Sequence, residues 1–197
     1  ELTKLGLIGA GVWGSNFIKT IKKIEGIDII GISTLSGELN QIDIDSKQFK
    51  IYKNWKELVA KKDISGVIIA TPTNSHYEMT KYCIKKGLPC IVEKPIALEL
   101  SKIQEIYEIA KKNKAIVLVD HIHLYHPAFK ELKRLANKTK NIVSINAIAG
   151  GNGPFRKDVR ALWDWAPHDI AMSIEIMGNN PKVVEASYIN KINEGFR

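Results

Sequence analysis

The sequence predicts an α/β protein, with a doubly wound parallel sheet of the Rossmann type followed by a shorter α/β domain. Up to about residue 121, short apolar runs alternate with amphipathic segments of helical period. Apolar runs without alternation are typical of strands buried on both faces of a parallel sheet. After that point, strands of mixed polarity indicate an open, mostly antiparallel sheet. We therefore expect one domain over residues 1–121 and a second over residues 122–197.

The strands and helices of the first domain follow from local patterns. Residues 5–8 form an apolar run, and Phe17, Ile18, Ile21 and Ile24 then recur at helical spacing. A helix is predicted over residues 55–60. Two more begin at the Ser-x-x-Glu and Ser-x-x-Gln patterns of residues 75–78 and 101–104, and the first of these ends at Gly87. Further strands are expected over residues 27–33, 66–70, 89–93 and 115–120.

The second domain shows a different order of elements. Residues 127–137 and 170–177 are predicted to be helical, and residues 142–149 and 183–189 are predicted to be strands. Pro167 suits the first turn of a helix, so Asp164 is expected just before that helix and His168 just inside it. The chain ends without a visible closing element, so we expect this domain to be short.

Composition and charge exclude several classes of protein. The 197 residues carry 29 Lys and Arg against 21 Asp and Glu, a formal charge of +8. The lysines are spread near helix ends, where cations suit the helix dipole, so a solvated surface is expected and not a nucleic-acid site. No apolar run is long enough to span a bilayer, and no signal-peptide pattern precedes the first strand. Cys83 and Cys90 lack metal or redox spacing, which favours buried thiols and a cytoplasmic location.

The motif Gly9-x-Gly11-x-x-Gly14 lies between the first strand and the first helix, with Val12 and Trp13 inside it. In this context the glycines permit a tight turn, close approach of backbone to a pyrophosphate, and close packing of helix on strand. The N–H groups and positive dipole of the helix start favour phosphates. The motif therefore predicts dinucleotide binding.

Two other segments follow strands at the edge where ligands bind in open α/β sheets. Thr71-Pro72-x-Asn74 offers hydroxyl and amide groups to a ribose or nicotinamide, although a plain turn capped by Asn74 or Ser75 would fit equally. Glu93-Lys94-Pro95 follows the next strand, where Lys94 could exchange a proton with a substrate hydroxyl or lie in an exposed turn.

Candidate proton-transfer groups lie in the second domain. Asp164 and His168 are four residues apart and could form an acid/base group with its orienting partner, or a helix cap and a core residue. Arg156 and Arg160 could bind a phosphorylated or carboxylated substrate.

A run of histidines offers a competing interpretation. His121-x-His123, with His126 behind it, has the alternation of some metal-dependent hydrolases, but no third and fourth ligand lies at suitable spacing. We expect no metal, and a place in the active-site cleft or a structural role for these residues.

Together these motifs resemble the glucose-fructose oxidoreductase / inositol dehydrogenase / rhizopine-catabolism (Gfo/Idh/MocA) family of NAD(P)-dependent oxidoreductases. The resemblance covers essentially the whole chain and rests on the glycine motif, Thr71-Pro72-x-Asn74-x-His76, Glu93-Lys94-Pro95 and Asp164-x-x-x-His168, in this order. It implies hydride transfer between NAD or NADP and a sugar or cyclitol hydroxyl. The segment 162–169 is also similar to nucleotide-sugar 3-dehydrogenases.

The resemblance implies a role for each candidate residue. Lys94, His168 and Asp164 would be catalytic. The cofactor would be bound by the following residues: Gly9, Gly11, Val12, Trp13, Gly14, Ser33, Thr34, Thr71, Pro72, Asn74, His76, Glu93 and Lys94. The substrate would be bound by these: Lys94, His121, His123, Tyr125, Arg156, Arg160, Trp163, Asp164 and His168.

The sequence departs from the family pattern at two points. Ser33 and Thr34 stand where NAD-binding members usually carry an acidic residue, which leaves the choice between NAD and NADP open. The second domain, a substrate and oligomerisation domain in this family, is expected to be incomplete relative to the family, as in a naturally short variant or in a fragment. A homodimer or homotetramer is expected. A non-catalytic cofactor sensor and a metal-dependent hydrolase using His121 and His123 are the alternatives.

Overall fold

The computed structural model describes residues 2–34, 49–139, 141–150 and 159–178, together with residues 182, 183, 185, 187, 191–192 and 195–196. The chain forms two compact units, Glu1–Asp120 and His121–Arg197.

The first unit is built on a six-stranded parallel sheet with the strand order β3-β2-β1-β4-β5-β6. This is the order of a Rossmann sheet, with the reversal of strand order between β1 and β4. The Rossmann part of the predicted fold is thus confirmed. The strands are β1 (Thr3–Ile8), β2 (Ile27–Ser33), β3 (Lys50–Tyr52), β4 (Gly66–Ile69), β5 (Cys90–Glu93) and β6 (Val117–Asp120).

Four helices connect these strands. They are α1 (Val12–Ile21), α2 (Trp55–Val59), α3 (His76–Lys85) and α4 (Leu100–Asn113). The helix α3 ends as the sequence predicts, because Gly87 takes a left-handed φ of +70° just after it.

Two predicted helix caps are wrong. Ser75 precedes α3 but makes no side-chain cap, because its hydroxyl is engaged with two other oxygens. Its Oγ lies 2.7 Å from Thr71 Oγ1 and 2.7 Å from the carbonyl oxygen of Pro72, and its one hydrogen is donated to one of these. Ser101 lies inside α4, whose N-cap residue is Glu99. The predicted capping box is thus replaced by other hydrogen-bond partners at Ser75 and by an earlier helix start at Ser101.

Small residues in the sheet leave room for a large side chain from a helix. A Cβ built at Gly31 would lie 2.7 Å from Leu58 Cδ1, and one built at Gly6 would lie 3.2 Å from Leu58 Cγ. Leu58 of α2 is fully buried against β1 and β2 through these two glycines. The helix therefore packs close to the sheet because the strands lack side chains there.

The two cysteines are confirmed as buried thiols. Cys83 and Cys90 are both free and buried. Burial raises the pKa of each thiol to about 12, so neither is a reactive thiolate near neutral pH.

The second unit contains two longer helices, α5 (Pro127–Thr139) and α6 (Ala161–Met177), and a short 3-10 helix, Ile122–Tyr125. A two-stranded antiparallel pair is formed by β7 (Lys191–Ile192) and β8 (Gly195–Phe196). Ion pairing links the two helices, since Lys133 of α5 contacts Glu175 of α6.

The structure differs from the predictions at two places in this unit, and a third prediction falls mostly outside the described residues. Residues 142–149 do not form a strand, because they have no ladder partner in the described part of the chain. Most of the strand predicted over residues 183–189 lies outside the described residues. The helix expected to begin near Pro167 begins at Ala161 instead, so Pro167 lies inside α6 and Asp164 lies in its first turn.

Among the helices in the described part of the chain, none is long and apolar enough to cross a membrane.

The packing of Leu58 gives a test of the core. Leu58→Ala should lower the free energy of unfolding by about 2–5 kcal/mol, because it leaves a cavity above Gly6 and Gly31. The measurement is urea unfolding followed by circular dichroism. Leu132→Ala, at a leucine that is 53% exposed on α5, is the matched control and should change stability by less than about 0.5 kcal/mol. Equal effects of the two substitutions would contradict this packing.

Candidate active site

The turn after β1 brings strand and helix backbone into close contact. Gly9 has a φ of +94°, and a Cβ there would lie 2.5 Å from the carbonyl oxygen of Ala70. A Cβ at Gly14 would lie 2.0 Å from the carbonyl oxygen of Gly9. Because neither position has room for a side chain, α1 begins directly at the carboxyl end of β1.

Gly11 differs from the other two glycines of the motif. A Cβ built there meets no atom within 4 Å. Gly11 is the N-cap residue of α1, so this open space lies beside the N–H groups of the helix start. Val12 and Trp13 next to it have side chains that are 78% and 44% exposed. The turn therefore has the space and the donors that a pyrophosphate needs.

The end of β2 supports this turn through its backbone. The N–H of Gly9 donates to the carbonyl of Ser33 at 2.9 Å, and the N–H of Thr34 donates to the carbonyl of Tyr52 at 3.3 Å. Ser33 is buried. The two residues thus lie beside the glycine turn, at the position that the sequence assigned to a ribose contact.

The loop after β4 is held by an internal hydrogen-bond network. Thr71, Pro72 and Ser75 are linked through the Ser75 hydroxyl, and Thr73 is buried. Asn74 is exposed. Of the polar groups predicted here, the Asn74 amide is the one that the fold leaves open to a ligand.

His76 connects two loops of this edge. It is 1% exposed, and its Nδ1 and Nε2 atoms lie 2.8 Å and 2.7 Å from the carbonyl oxygens of Pro95 and Thr71. The sequence predicts that His76 lines the cofactor site. The structure gives it a supporting position below the surface, where it ties the loop after β4 to the Lys94-Pro95 segment, whose peptide bond is cis.

Glu93 and Asp120 form a pair that the sequence did not reveal. They are partners in the register of β5 and β6, and their side chains are hydrogen-bonded. Because a carboxylate has no hydrogen to donate, this bond requires a proton on one of the two groups. Burial raises the pKa of the Asp120 carboxyl, and the hydrogen bond with Glu93 opposes that change.

A sequence signal for this pair exists. Both residues are the last of their strands, and neighbouring parallel strands end at the same edge. Lys94, directly after Glu93, is partly exposed at that edge.

The second unit contributes the proton-transfer candidates. Asp164 and His168 are one helical turn apart on α6, so they share one face of the helix. The ring of His168 lies 4.2 Å from that of His123 and 6.3 Å from that of His121, measured between ring centres. His168 and His121 are half-buried and His123 is exposed.

The other residues predicted to bind the substrate are close in sequence to these histidines or to Asp164. Tyr125 is exposed, with the Lys130 ammonium 6.0 Å from its ring centre. Arg160 is the N-cap residue of α6, and Trp163 is 37% exposed in the first turn. Arg156 lies outside the described residues. Within the described ranges, no group of three or more His, Cys, Asp or Glu residues is arranged to hold a metal ion.

The strand order, the glycine turn and the polar groups at the carboxyl edge define a dinucleotide-binding Rossmann protein. The family model described as "oxidoreductase family, NAD-binding Rossmann fold" matches residues 3–121. The chain belongs to this family, which is the one indicated by the motifs. NAD or NADP, the predicted cofactor class, is confirmed as that of the family.

Individual relatives agree with this assignment. A UDP-N-acetylglucosamine 3-dehydrogenase of Acidithiobacillus ferrooxidans is 24% identical over 127 residues, which are 63% of this chain and 39% of the relative. A scyllo-inositol 2-dehydrogenase (NADP(+)) of Bacillus subtilis is 24% identical over 200 residues, covering 95% and 55% of the two chains.

A crystal structure from Magnetospirillum magnetotacticum MS-1 is 33% identical, with a TM-score of 0.84, over 100% of this chain and 64% of that one. The chain therefore spans between two-fifths and two-thirds of the length of these three proteins.

The shared proton of Glu93 and Asp120 makes a prediction about pH. Burial raises the pKa of Asp120 in the folded state above its unfolded value, so the folded state binds the proton more tightly. The contribution of this group to stability is therefore largest below the unfolded pKa, and is lost as pH rises through the folded pKa. Asp120→Asn removes this titration, while its amide can still donate to Glu93. The variant should gain stability relative to wild type as pH rises from about 4 to 7, as measured by urea unfolding.

Asp63→Asn controls for the change in net charge, because it removes an exposed carboxylate from the turn before β4. Parallel pH dependences for wild type and Asp120→Asn would rule out the shared proton.

Proposed function

We propose that this chain forms the cofactor-binding and catalytic part of an NAD(P)-dependent dehydrogenase that acts on a CH–OH group of a sugar, nucleotide sugar or cyclitol. The observation that supports it most directly is the position of Lys94. This lysine follows β5 at the carboxyl edge of the sheet that carries the glycine turn, within the part of the chain that matches the family. The names of the sugar and inositol dehydrogenases among the relatives support the substrate class.

Cofactor binding is assigned mainly to backbone groups. The turn from Gly9 to Gly14 and the start of α1 would hold the pyrophosphate, with Val12 and Trp13 on its exposed side. Ser33 and Thr34 would face the ribose of the adenosine half. The nicotinamide half of the cofactor would be lined by Thr71, Pro72 and Asn74. His76 and Glu93 would support this lining from the interior. When bound, the nicotinamide supplies hydride transfer.

Lys94 would act on the oxygen of the reacting carbon. Its ammonium group can donate a hydrogen bond to the hydroxyl of the substrate, and it stabilises negative charge as the proton leaves. The His76 contact to the Pro95 carbonyl limits the movement of the segment that carries Lys94. Lys94 would thereby bind the substrate and also contact the cofactor.

His168 would accept the proton of that hydroxyl. An imidazole suits a general base because its ordinary pKa lies near neutral pH. Asp164 lies on the same face of α6, one turn before His168, where a carboxylate can orient the ring and stabilise its charged form. The reverse reaction would return the proton from His168 to the substrate oxygen.

Substrate selection is assigned to the second unit. Arg160 and Arg156 would bind a phosphate or carboxylate, and Tyr125 and Trp163 offer aromatic surface to a sugar ring. His121 and His123 would lie near the reacting group. Self-association through this unit and a cytoplasmic location stay predictions.

Gly11 offers a direct test of cofactor binding. Gly11→Ala should fold like wild type, because its Cβ meets no atom within 4 Å. The new methyl would occupy the space proposed for the pyrophosphate, so affinity for the cofactor should fall by about tenfold or more. The measurement is a titration with NADH and with NADPH, followed through quenching of Trp13 fluorescence.

Gly150→Ala is the matched control, because a Cβ at Gly150 also meets no atom within 4 Å. Wild type should bind one or both nucleotides saturably. Unchanged affinity in Gly11→Ala would place the pyrophosphate elsewhere, and absence of binding to wild type would refute the proposed function.

Turnover tests the catalytic roles. His168→Gln should lower turnover by about 10²–10⁴-fold with little change in cofactor affinity, because it removes a general base. Lys94→Ala should lower both turnover and cofactor affinity. The assay follows formation of reduced nicotinamide with NAD or NADP and myo-inositol, scyllo-inositol or UDP-N-acetylglucosamine.

A change of less than threefold in His168→Gln would remove His168 from the role of base. Binding of the cofactor without turnover of any substrate by wild type would favour the non-catalytic sensor.

A further inference from the structure

Three imidazole rings gather in the second unit. His168 lies in α6, and His121 and His123 lie at and within the 3-10 helix Ile122–Tyr125. The His123 and His168 ring centres are 4.2 Å apart with the rings tilted by 51°, and His121 meets His168 edge-on at 6.3 Å. The resemblance implies that His121 and His123 bind the substrate. In the structure, the rings of both residues contact the ring of His168.

Rings this close influence each other's protonation. A second positive charge within about 4–6 Å disfavours protonation of an imidazole, because like charges repel. At this separation in water the effect corresponds to about half a pH unit. Such groups titrate as a coupled set, in which binding of one proton lowers the affinity for the next.

Other charged groups near His168 come from each element packed against α6. On α6 itself these are Asp164, one turn before His168, and Asp169, the residue after it. From α5, Lys133 is engaged with Glu175, two turns further along α6. The strand β8, which also contacts α6, contributes Gly195 and Phe196, neither of which titrates. Among the described residues, His121 and His123 are thus the imidazole groups on the elements next to α6.

We infer that His123 is a positioning residue that sets the proton affinity of His168, with His121 acting in the same direction more weakly. The inference rests on the proposed function, in which His168 is the base. A base must be free of a proton before the reaction, and the positive charge of a protonated neighbouring imidazole disfavours protonation of His168. His123 is exposed, whereas His168 is half-buried.

The test is an NMR titration of the histidine rings in the full chain. Imidazole-labelled protein is followed against pH in wild type, His123→Gln and His168→Gln. Relative to wild type, His123→Gln should raise the titration midpoint of His168 by about half a pH unit, and His168→Gln identifies the His168 signal.

Two further variants grade the effect by distance. His121→Gln should change the His168 midpoint in the same direction and by less than His123→Gln does, because its ring is further away. His126→Gln is the matched control. It removes an exposed imidazole from the same segment, one whose Nδ1 accepts a hydrogen bond from the Ala128 N–H. A change of less than 0.2 pH unit in the His168 midpoint in His123→Gln, or an equal effect of His126→Gln, would overturn the inference.

The two proposals fail in different ways. Turnover lost in His168→Gln without coupling in the NMR titration would leave His168 as the base and overturn the role of His123. Coupling in the titration with full turnover in His168→Gln would overturn the proposed base, and with it the positioning role of His123.

Discussion

Close contact between the glycine turn and neighbouring backbone is the constraint on which the carboxyl edge of the sheet depends. This contact is possible because Gly9 and Gly14 have no side chains. Gly14 lies against the carbonyl of Gly9, and Gly9 lies against the carbonyl of Ala70. These contacts place the start of α1 at the point where the order of the strands reverses, between β1 and β4. A methyl group at Gly9 or Gly14 would push the helix away from the sheet. Binding of the proposed pyrophosphate at this edge would thus depend on backbone N–H groups. It would also depend on the absence of side chains at the glycines, more than on any charged side chain.

Buried polar contacts then hold the loops that leave the same edge. His76 joins the carbonyls of Thr71 and Pro95, so the segments after β4 and β5 are tied together. Glu93 and Asp120 join the ends of β5 and β6 in the same way. Both ties are costly to break, because a buried polar group without a partner destabilises the fold. Lys94 follows directly on one of these anchored strand ends, which suits a residue that has to keep a fixed position.

Elements that depend on a local apolar pattern could be predicted from the sequence, and those that depend on distant partners could not. The strand β2 and the end of α3 agree with prediction, because an apolar run and a terminal glycine are sufficient signals. The three residues of β3 carry too little pattern to reveal an edge strand. The segment 142–149 has the pattern of a strand but no ladder partner among the described residues. Likewise, Glu93 was identified by its motif, whereas its partner Asp120 emerged only from the strand register.

The helix α6 shows why the substrate side is harder to derive than the cofactor side. Pro167 suggested a helix start, yet the helix begins six residues earlier, and Pro167 has no N–H to donate to the carbonyl of Trp163. The longer helix puts Asp164 in its first turn, where a carboxylate also suits the helix dipole, and leaves His168 one turn further along the same face. The cofactor side is encoded in backbone geometry that few sequences satisfy. The residues proposed for the substrate are side chains on a helix, an element that tolerates many residue types at such positions, so their role depends on the site and not on the fold.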